Sequence, residues 1–223
     1  MSKKLTAAIA AATLGVVALA TPVSADVGAT AGFVSDYYFR GANLGDGGAN
    51  ASIDWVAGDS GFSAGIWAID DQAAGNDGLE YDIYASYAQE TDSFDWSVGL
   101  TRYEYTYGTN FEQEVNLGLG IGDFGLAADI GSADPNTTGS DTVDYRHIAL
   151  SWAANDIYAL LVGNVDPDTD TDDDDYNYVE VSAAGEVSDL DVSMTLGTVS
   201  LENTATSGYM VLRVSKSFDG LGL

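Results

Sequence analysis

The feature that most constrains the fold is a strict alternation of apolar and small or polar residues in short segments. Between Glu114 and Gly122, every second residue is Val, Leu or Ile, and the residues between them are Glu, Asn and Gly. The segments 124–131 and 190–197 follow the same pattern. A period of two places one apolar and one polar face on a β-strand. The sequence therefore predicts an all-β chain in which each strand is apolar on one side only.

The order of the connectors specifies the architecture further. Twelve segments alternate in this way, and they are joined in turn by tight turns and by longer polar connectors. This is typical of an antiparallel up-and-down β-barrel in an outer membrane, with an even strand number. We predict such a transmembrane barrel over residues 26–223, with about twelve strands. The predicted strands lie at about 27–40, 49–57, 61–69, 80–90, 94–107, 111–121, 124–132, 142–153, 157–165, 176–186, 190–201 and 207–218. The tight turns are expected at 58–60, 91–93, 122–123, 154–156 and 187–189, and 41–48 is expected to be the first long outer loop.

The first 25 residues predict export from the cytoplasm. Lys3 and Lys4 precede a short apolar stretch that ends in the small residues Val23, Ser24 and Ala25. A positive start, an apolar core and a small-residue cleavage site are typical of a secretory signal peptide. We therefore expect residues 1–25 to be removed, with location in the outer membrane of a Gram-negative cell.

Composition excludes several classes of function. The chain has 35 acidic and seven basic residues, and loss of Lys3 and Lys4 leaves a net charge of −30, which repels nucleic acid. Without cysteine, neither a disulfide nor a thiolate metal site can form. His147 is the only histidine, and neither a phosphate-binding glycine loop nor a nucleophile elbow is present. We predict that the chain is not an enzyme and uses no cofactor.

Two positions of the apolar face, toward lipid or toward the interior, fit the alternation. In a membrane barrel the apolar face meets lipid, whereas in a secreted β-sandwich or lipocalin-like barrel it faces inward. The polar face is rich in Gly, Ser, Thr and Asp, which favours the membrane arrangement. Aromatic residues at strand ends predict two interfacial girdles, and a slip in parity between Leu100 and Tyr103 predicts a bulge. The girdle residues are Tyr37, Tyr38, Phe39, Tyr103, Tyr105 and Tyr107 at one end, and Trp55, Phe62, Phe94, Trp96, Phe124, Trp152 and Tyr158 at the other.

The polar face of a membrane barrel lines its lumen, so candidate pore-lining residues follow from the parity. Acidic residues outnumber basic ones there, and a negative, narrow passage favours cations. The alternative is that these groups pair with one another and with tyrosines, filling the barrel. The predicted pore-lining residues are Asp36, Asp54, Asp82, Glu114, Asp129, Glu180 and Asp191, with Arg40, His147 and Arg213 as positive partners.

An acidic run at 166–175 is the sharpest local feature. Asp166, Asp168, Asp170 and Asp172 alternate with Pro and Thr, and carboxylates at this spacing could ligate calcium or magnesium loosely. The EF-hand pattern is not met, because Thr171 and further aspartates stand where it requires a glycine and a closing glutamate. A solvated acidic loop is the alternative. Divalent ions here could bridge to lipopolysaccharide phosphates.

Several segments resemble a known family. The sequences GFVSDYYFRG at 32–41, GFSAGIWA at 61–68, YDIYA at 81–85 and VSKSF at 214–218 are similar to those of the TorF family of porin-like proteins, the Gcw_chp group. The resemblance implies an outer-membrane barrel with a transport role. One departure is the tail DGLGL at 219–223, since outer-membrane barrels usually end on an aromatic residue.

These observations predict a porin-like channel for small hydrophilic solutes, preferentially cationic or neutral. The alternative is a closed outer-membrane barrel with a structural or adhesion role, or one that binds surface cations and lipopolysaccharide. Expected partners are outer-membrane lipid, lipopolysaccharide and small solutes or ions, without nucleic acid. The oligomeric state does not follow from the sequence.

Overall fold

The computed structural model describes residues 25–71, 78–106, 111–134, 142–168, 175–201 and 206–220. The signal peptide prediction concerns residues that, apart from Ala25, lie outside these ranges. Among the described residues, no helix has the length and apolar character needed to cross a bilayer. Besides one 3-10 turn at Gly58–Ser60, the regular elements within these ranges are β-strands. They are β1 (Ala25–Val34), β2 (Asp36–Phe39), β3 (Ala42–Asp46), β4 (Ala49–Ala57), β5 (Phe62–Asp71), β6 (Gly78–Glu90), β7 (Asp95–Tyr105), β8 (Phe111–Ile121), β9 (Phe124–Ala133), β10 (Val143–Ala153), β11 (Tyr158–Pro167), β12 (Tyr176–Val187), β13 (Leu190–Leu201) and β14 (Ser207–Phe218).

Twelve of the strands close into one antiparallel barrel. From β4 to β14 each strand pairs with its neighbours in sequence, β1 pairs with β4, and β14 pairs with β1 to close the sheet. In the closing pair, Ala29 lies opposite Phe218 and Val34 opposite Arg213. Closure pairs the backbone polar groups of every edge, as a lipid environment requires. The predicted twelve-stranded up-and-down barrel is confirmed.

The apolar face of the barrel points outward. Leu117 and Ile130 are 43% and 59% exposed, whereas Glu114 and Asp129 on the same two strands are 3% and 1% exposed. A continuous exposed apolar band of this kind suits contact with lipid. The alternative of a secreted β-sandwich or lipocalin-like barrel, with its apolar face inward, is therefore wrong.

One of the two predicted aromatic girdles is present. The expected tight turns connect the strands at one end of the barrel, and the aromatic residues beside them are all exposed on the outer surface. The prediction of the other girdle is wrong, because Tyr37 and Tyr103 are buried and lie inside the barrel. Tyr107, also predicted there, lies outside the described residues. The exposed aromatic residues at the tight-turn end are Trp55, Phe62, Phe94, Trp96, Phe124, Trp152 and Tyr158.

The first predicted strand is too long. β1 ends at Val34, and the residues after it form a hairpin of β2 and β3, whose strands pair only with each other. We call residues 36–46 the hairpin. Ser35 holds one end of it: its N–H donates to the Leu212 carbonyl at 2.9 Å, and its Oγ accepts from the Leu212 N–H at 3.0 Å. The segment 41–48, predicted to be an outer loop, therefore contains the second strand of a hairpin.

The bulge predicted between Leu100 and Tyr103 is absent. The register of β7 with β6 and with β8 runs without a shift through these residues. Leu100 and Arg102 point outward and Tyr103 points inward. A charged residue on the outer face interrupts the apolar pattern of β7 without changing its parity. Arg102 donates to Glu104 and lies 4.2 Å from the centre of the Phe111 ring.

Candidate functional site in the barrel lumen

The turn of the hairpin places an arginine inside the barrel. Arg40 has a φ of 50° and is 8% exposed. Its guanidinium donates to both carboxylate oxygens of Glu114 at 2.9 Å and to Asp129 at 2.8 Å. Glu114 and Asp129 project from β8 and β9, on the wall of the barrel. The hairpin is thus tied to the wall by a buried, bidentate charge pair, the strong form of an arginine–carboxylate contact.

Wall residues complete the coordination of both carboxylates. Glu114 accepts hydrogen bonds from Tyr103 at 2.7 Å and from Tyr145 at 2.9 Å. Asn116 donates to Glu114 at 2.6 Å and to Asp129 at 3.0 Å. Buried charges are tolerated when they are paired and hydrogen-bonded in this way.

His147 extends this network along the wall from β9 to β10 and β12. Its Nδ1 is 2.6 Å from an Asp129 oxygen, and its Nε2 is 2.7 Å from the Tyr178 hydroxyl. Because an ionised carboxylate can only accept, Nδ1 carries the proton of this bond. His147 is 0% exposed. It therefore serves here as a bridge between an acid and a tyrosine, not as a group that solutes can reach.

The electrostatics of the hairpin favour a permanent positive charge at its tip. Burial lowers the pKa of the Arg40 guanidinium, but Glu114, Tyr103 and Asp129 raise it by more, so the pKa lies above its usual value. Burial also raises the pKa of the Tyr37 hydroxyl, and Glu80 and Asp82 raise it further. Tyr37 remains a donor and binds Glu80 at 3.0 Å.

Aromatic contacts pack the hairpin against the wall. Tyr38 stacks on Tyr209 with ring centres 4.0 Å apart, and Phe39 lies 6.0 Å from Tyr103. Gly41, at a φ of 81°, lies so close to Tyr178 that an added Cβ would be 2.6 Å from the tyrosine Cβ. Only glycine meets both the backbone conformation and this close approach without strain.

The remaining predicted acids on the lumen face have separate surroundings. Asp54 accepts from Tyr84 and, at 2.7 Å, from Ser52. Asp82 is 3% exposed, and its Oδ1 has no hydrogen-bond partner among the described residues. Asp36 is not on the barrel wall, since it begins β2 of the hairpin opposite Asp46.

Glu180, Asp191 and Arg213 lie on the lumen parity of β12, β13 and β14. Glu180 accepts a hydrogen bond from Tyr209 at 2.7 Å. Asp191 and Arg213 are exposed, although they share the parity of the buried residues Thr195 and Val211. Because these two side chains face the lumen and are exposed, water reaches this part of the lumen.

The structure thus brings four of the ten predicted residues into one network: Arg40, Glu114, Asp129 and His147. Glu180 and Arg213 border a cavity beside it. Sequence reasoning missed Tyr103, Asn116 and Tyr145 as partners of Glu114. The lumen parity of their strands was the available signal, but it does not show that a hairpin tip comes to meet them.

The predicted divalent-cation loop is described only in part. Asp166 and Asp168 are described, and Asp170 and Asp172 lie outside the described residues. Within the described ranges, no group of three or more His, Asp or Glu side chains could hold a metal ion. Divalent binding by this loop stays a prediction.

The lumen has two unlike halves, which we define by the barrel ends. The outer half, near the long connectors, contains the hairpin and the Arg40 network. The inner half, near the tight turns, is lined mainly by small side chains. Those of the inner half include Ser63, Ser86, Ser97, Gly118, Gly125, Ala127, Ala149, Ser151, Ser193 and Ser215.

Solved structures of outer-membrane channels share this fold. The KdgM porin is 11% identical with a TM-score of 0.53, and the match covers 86% of this chain and 98% of that one. The COG4313 outer membrane channel from Pseudomonas putida F1 is 13% identical with a TM-score of 0.50, covering 89% and 97%. At these identities the likeness concerns the fold: the chain has the architecture of a Gram-negative outer-membrane barrel.

Sequence comparison identifies the family. The chain matches no curated protein significantly. The family model described as "Bacterial protein of unknown function (Gcw_chp)" matches residues 19–210. This confirms the Gcw_chp part of the predicted resemblance, and the TorF name stays a prediction. Because the match spans most of its length, this outer-membrane barrel belongs to the Gcw_chp family.

Proposed function

We propose that the barrel is a porin-like channel for small hydrophilic solutes, preferentially cationic or neutral, and that the hairpin is its constriction. One observation carries the proposal: a polar, charge-lined lumen is narrowed at one level by a segment that does not pair with the wall strands. A hairpin held by side-chain contacts can narrow a passage without interrupting the barrel. The fold of the KdgM porin and of the COG4313 channel supports the proposal by likeness of architecture.

The cation preference rests on acids that solutes can reach. Glu114 and Asp129 are buried and share the charge of Arg40, so their field is partly cancelled. Four other acids lie at the inner mouth, on the lumen parity of β6, β7, β12 and β13, and are exposed: Glu90, Asp95, Glu186 and Asp191. We call them the inner-mouth acids. A ring of carboxylates at a pore mouth concentrates cations and repels anions.

A second candidate function, that of a closed barrel, is favoured by a separate observation. The Arg40 network is almost completely buried, and a barrel filled at this level would pass nothing while the hairpin stays in place. Such a protein would be a closed structural or surface-binding barrel. Its acidic loop could then bind cations and lipopolysaccharide, as the sequence suggested.

Conductance in planar bilayers separates the two candidates. We expect the refolded protein to conduct and, in a potassium chloride gradient, to give a reversal potential that favours potassium. Replacement of residues 36–46 by a short Gly-Ser linker should raise single-channel conductance several-fold, because the constriction is removed. Raising salt toward 1 M should weaken the preference, since the screening length falls to about 3 Å.

The outcomes are distinct. A parent without conductance and a linker variant that conducts would make the hairpin a complete plug. If neither protein conducts, although both show the heat-dependent gel migration of folded barrels, the closed barrel replaces the channel. Equal permeability to potassium and chloride at low salt would refute the cation preference alone.

A further inference from the structure

A cavity inside the lumen carries two opposite charges that are not paired with each other. It lies between the hairpin and the wall of β11 to β14, and Arg40, Glu180 and Arg213 are among the residues that line it. In the described part of the chain, Glu180 and Arg213 make no ion pair within 4.0 Å. The cavity itself has a volume of about 30 Å³ and is partly open to the lumen, so a ligand that bridges the two charges would extend from the cavity into the lumen.

The arginine has spare hydrogen-bonding capacity. Arg213 projects on the lumen parity, opposite Ser193 and Val34, and is exposed there. No described residue accepts a hydrogen bond from its guanidinium. Arg40 lines the same cavity, and its buried Nε also has no partner among the described residues. A guanidinium with free donors matches the two oxygens of a carboxylate.

The Glu180 carboxylate is held in place but is not neutralised by an ion pair with a described residue. Among the described residues, Glu180 accepts one hydrogen bond, from Tyr209 at 2.7 Å, and a carboxylate has capacity for several more. Tyr209 is in turn held in place by stacking on Tyr38. Ser182 and Thr195, whose hydroxyls are 3.1 Å apart, form a small polar wall beside these groups.

We propose that this cavity binds a small zwitterionic solute, with the carboxylate on Arg213 and the ammonium on Glu180. A simple anion would be repelled by Glu180, and a simple cation by Arg213. A zwitterion satisfies both groups and carries no net charge into an acidic lumen. The inference deepens the proposed function, because it names the class of neutral solute that the passage would favour.

Equilibrium binding to the refolded protein in detergent tests this site. The probes are glycine and 4-aminobutanoate as zwitterions of two lengths, with acetate and ethylammonium carrying one charge each. By titration calorimetry we expect at least one zwitterion to bind tenfold or more tightly than either single-charge probe. Arg213→Gln and Glu180→Gln should each weaken that binding at least tenfold. Arg146→Gln is the matched control, because Arg146 is exposed on the outer parity of β10, and it should change nothing.

Three results would overturn the site: no binding of either zwitterion, acetate or ethylammonium binding as tightly as both zwitterions, or wild-type affinity in the Arg213 and Glu180 variants. Gel migration before and after heating establishes that each variant is folded, and the two variants remove opposite charges, so one suffices if the other fails to fold. Binding in detergent needs no conduction. A protein that binds but does not conduct refutes the channel alone, and one that conducts but does not bind refutes this site alone.

Discussion

The outer and inner halves of the lumen are built on the same wall pattern but differ in what fills them. In the outer half, Arg40 enters on the hairpin and is bound by Glu114 and Asp129. In the inner half the wall carries mainly serine, glycine and alanine, and the charged residues that remain there, such as Asp191 and Arg213, are exposed. The difference teaches that alternation specifies which way a side chain points, whereas residue size and one inserted segment decide whether the lumen is filled.

The largest effect should come from removing the charge that joins hairpin and wall. Arg40→Gln leaves Glu114 and Asp129 buried without their cationic partner, which costs about 3 to 5 kcal/mol when a buried ion pair is broken. We expect a lower free energy of unfolding in lipid vesicles, measured by denaturant titration, together with a higher conductance. Arg102→Gln removes an exposed arginine paired with Glu104 and should cost less than about 1 kcal/mol. If Arg40→Gln unfolds at the wild-type denaturant concentration, the outer half is not held by this network.

The next largest effect on stability should come from a charge placed on the lipid-facing side of the barrel wall. Leu117→Arg places a charge on the lipid face near the middle of β8 and should destabilise the barrel by about 2 to 4 kcal/mol. Gly118→Arg, one residue further on, points into the inner half and should cost much less. There a new Cβ would lie 2.5 Å from the Ser97 Oγ, a small hydroxyl that can rotate away, and would meet no other residue within 4 Å. The measurement is again denaturant titration in vesicles, and equal losses for the two variants would mean that the inner half has no spare room.

A smaller loss of stability is expected from alanine at Gly41, and comparison with Gly122 distinguishes backbone strain from close packing in the outer half. Gly41→Ala introduces a side chain at a φ of 81° and against Tyr178, whereas Gly122→Ala, at a φ of 61° in a tight turn, meets nothing within 4 Å. The left-handed conformation alone costs about 1 to 2 kcal/mol. Gly41→Ala should therefore lose more stability than Gly122→Ala, by denaturant titration, and should also raise conductance. Equal losses would show that the hairpin turn is not tightly packed against Tyr178.

The smallest effect on stability should come from the inner mouth. Glu186→Gln combined with Asp191→Asn removes two exposed charges and little volume, so the free energy of unfolding should change by less than about 0.5 kcal/mol. The potassium preference in a salt gradient should fall, because these acids lie on the lumen parity. As a control, Asp144→Asn removes an exposed acid from the outer parity of β10 and should leave ion preference unchanged. An unaltered reversal potential in the double variant would locate selectivity elsewhere.

Much of the wall could be predicted from the sequence. The period of two in segments such as 114–122 identified the strands and the side of each that faces lipid, because lipid contact selects apolar residues at every second position. Arg102 shows where this reasoning fails. A charged residue near the rim of the outer face resembles a change of parity, and only the uninterrupted register of β7 with its neighbours corrects it.

The hairpin could not be predicted in the same way. Tyr37, Tyr38 and Phe39 continue the pattern of the first strand, and their aromatic character is equally typical of an interfacial girdle. The segment turns inward because Ser35 is held at the rim by Leu212 and because Arg40 finds two carboxylates on strands distant in sequence. Contacts across such distances leave no local periodicity in the chain.

By itself, the sequence determined the barrel: its strand number, its tight turns and the lipid-facing parity of residues such as Leu117 and Ile130. These are local properties, since they follow from backbone pairing and from the medium that each face meets. Only the tertiary structure decided which lumen charges neutralise one another. The field in the lumen depends on distances between residues as far apart in the chain as Arg40 and Asp129, and those distances exist only once the barrel has closed around the hairpin.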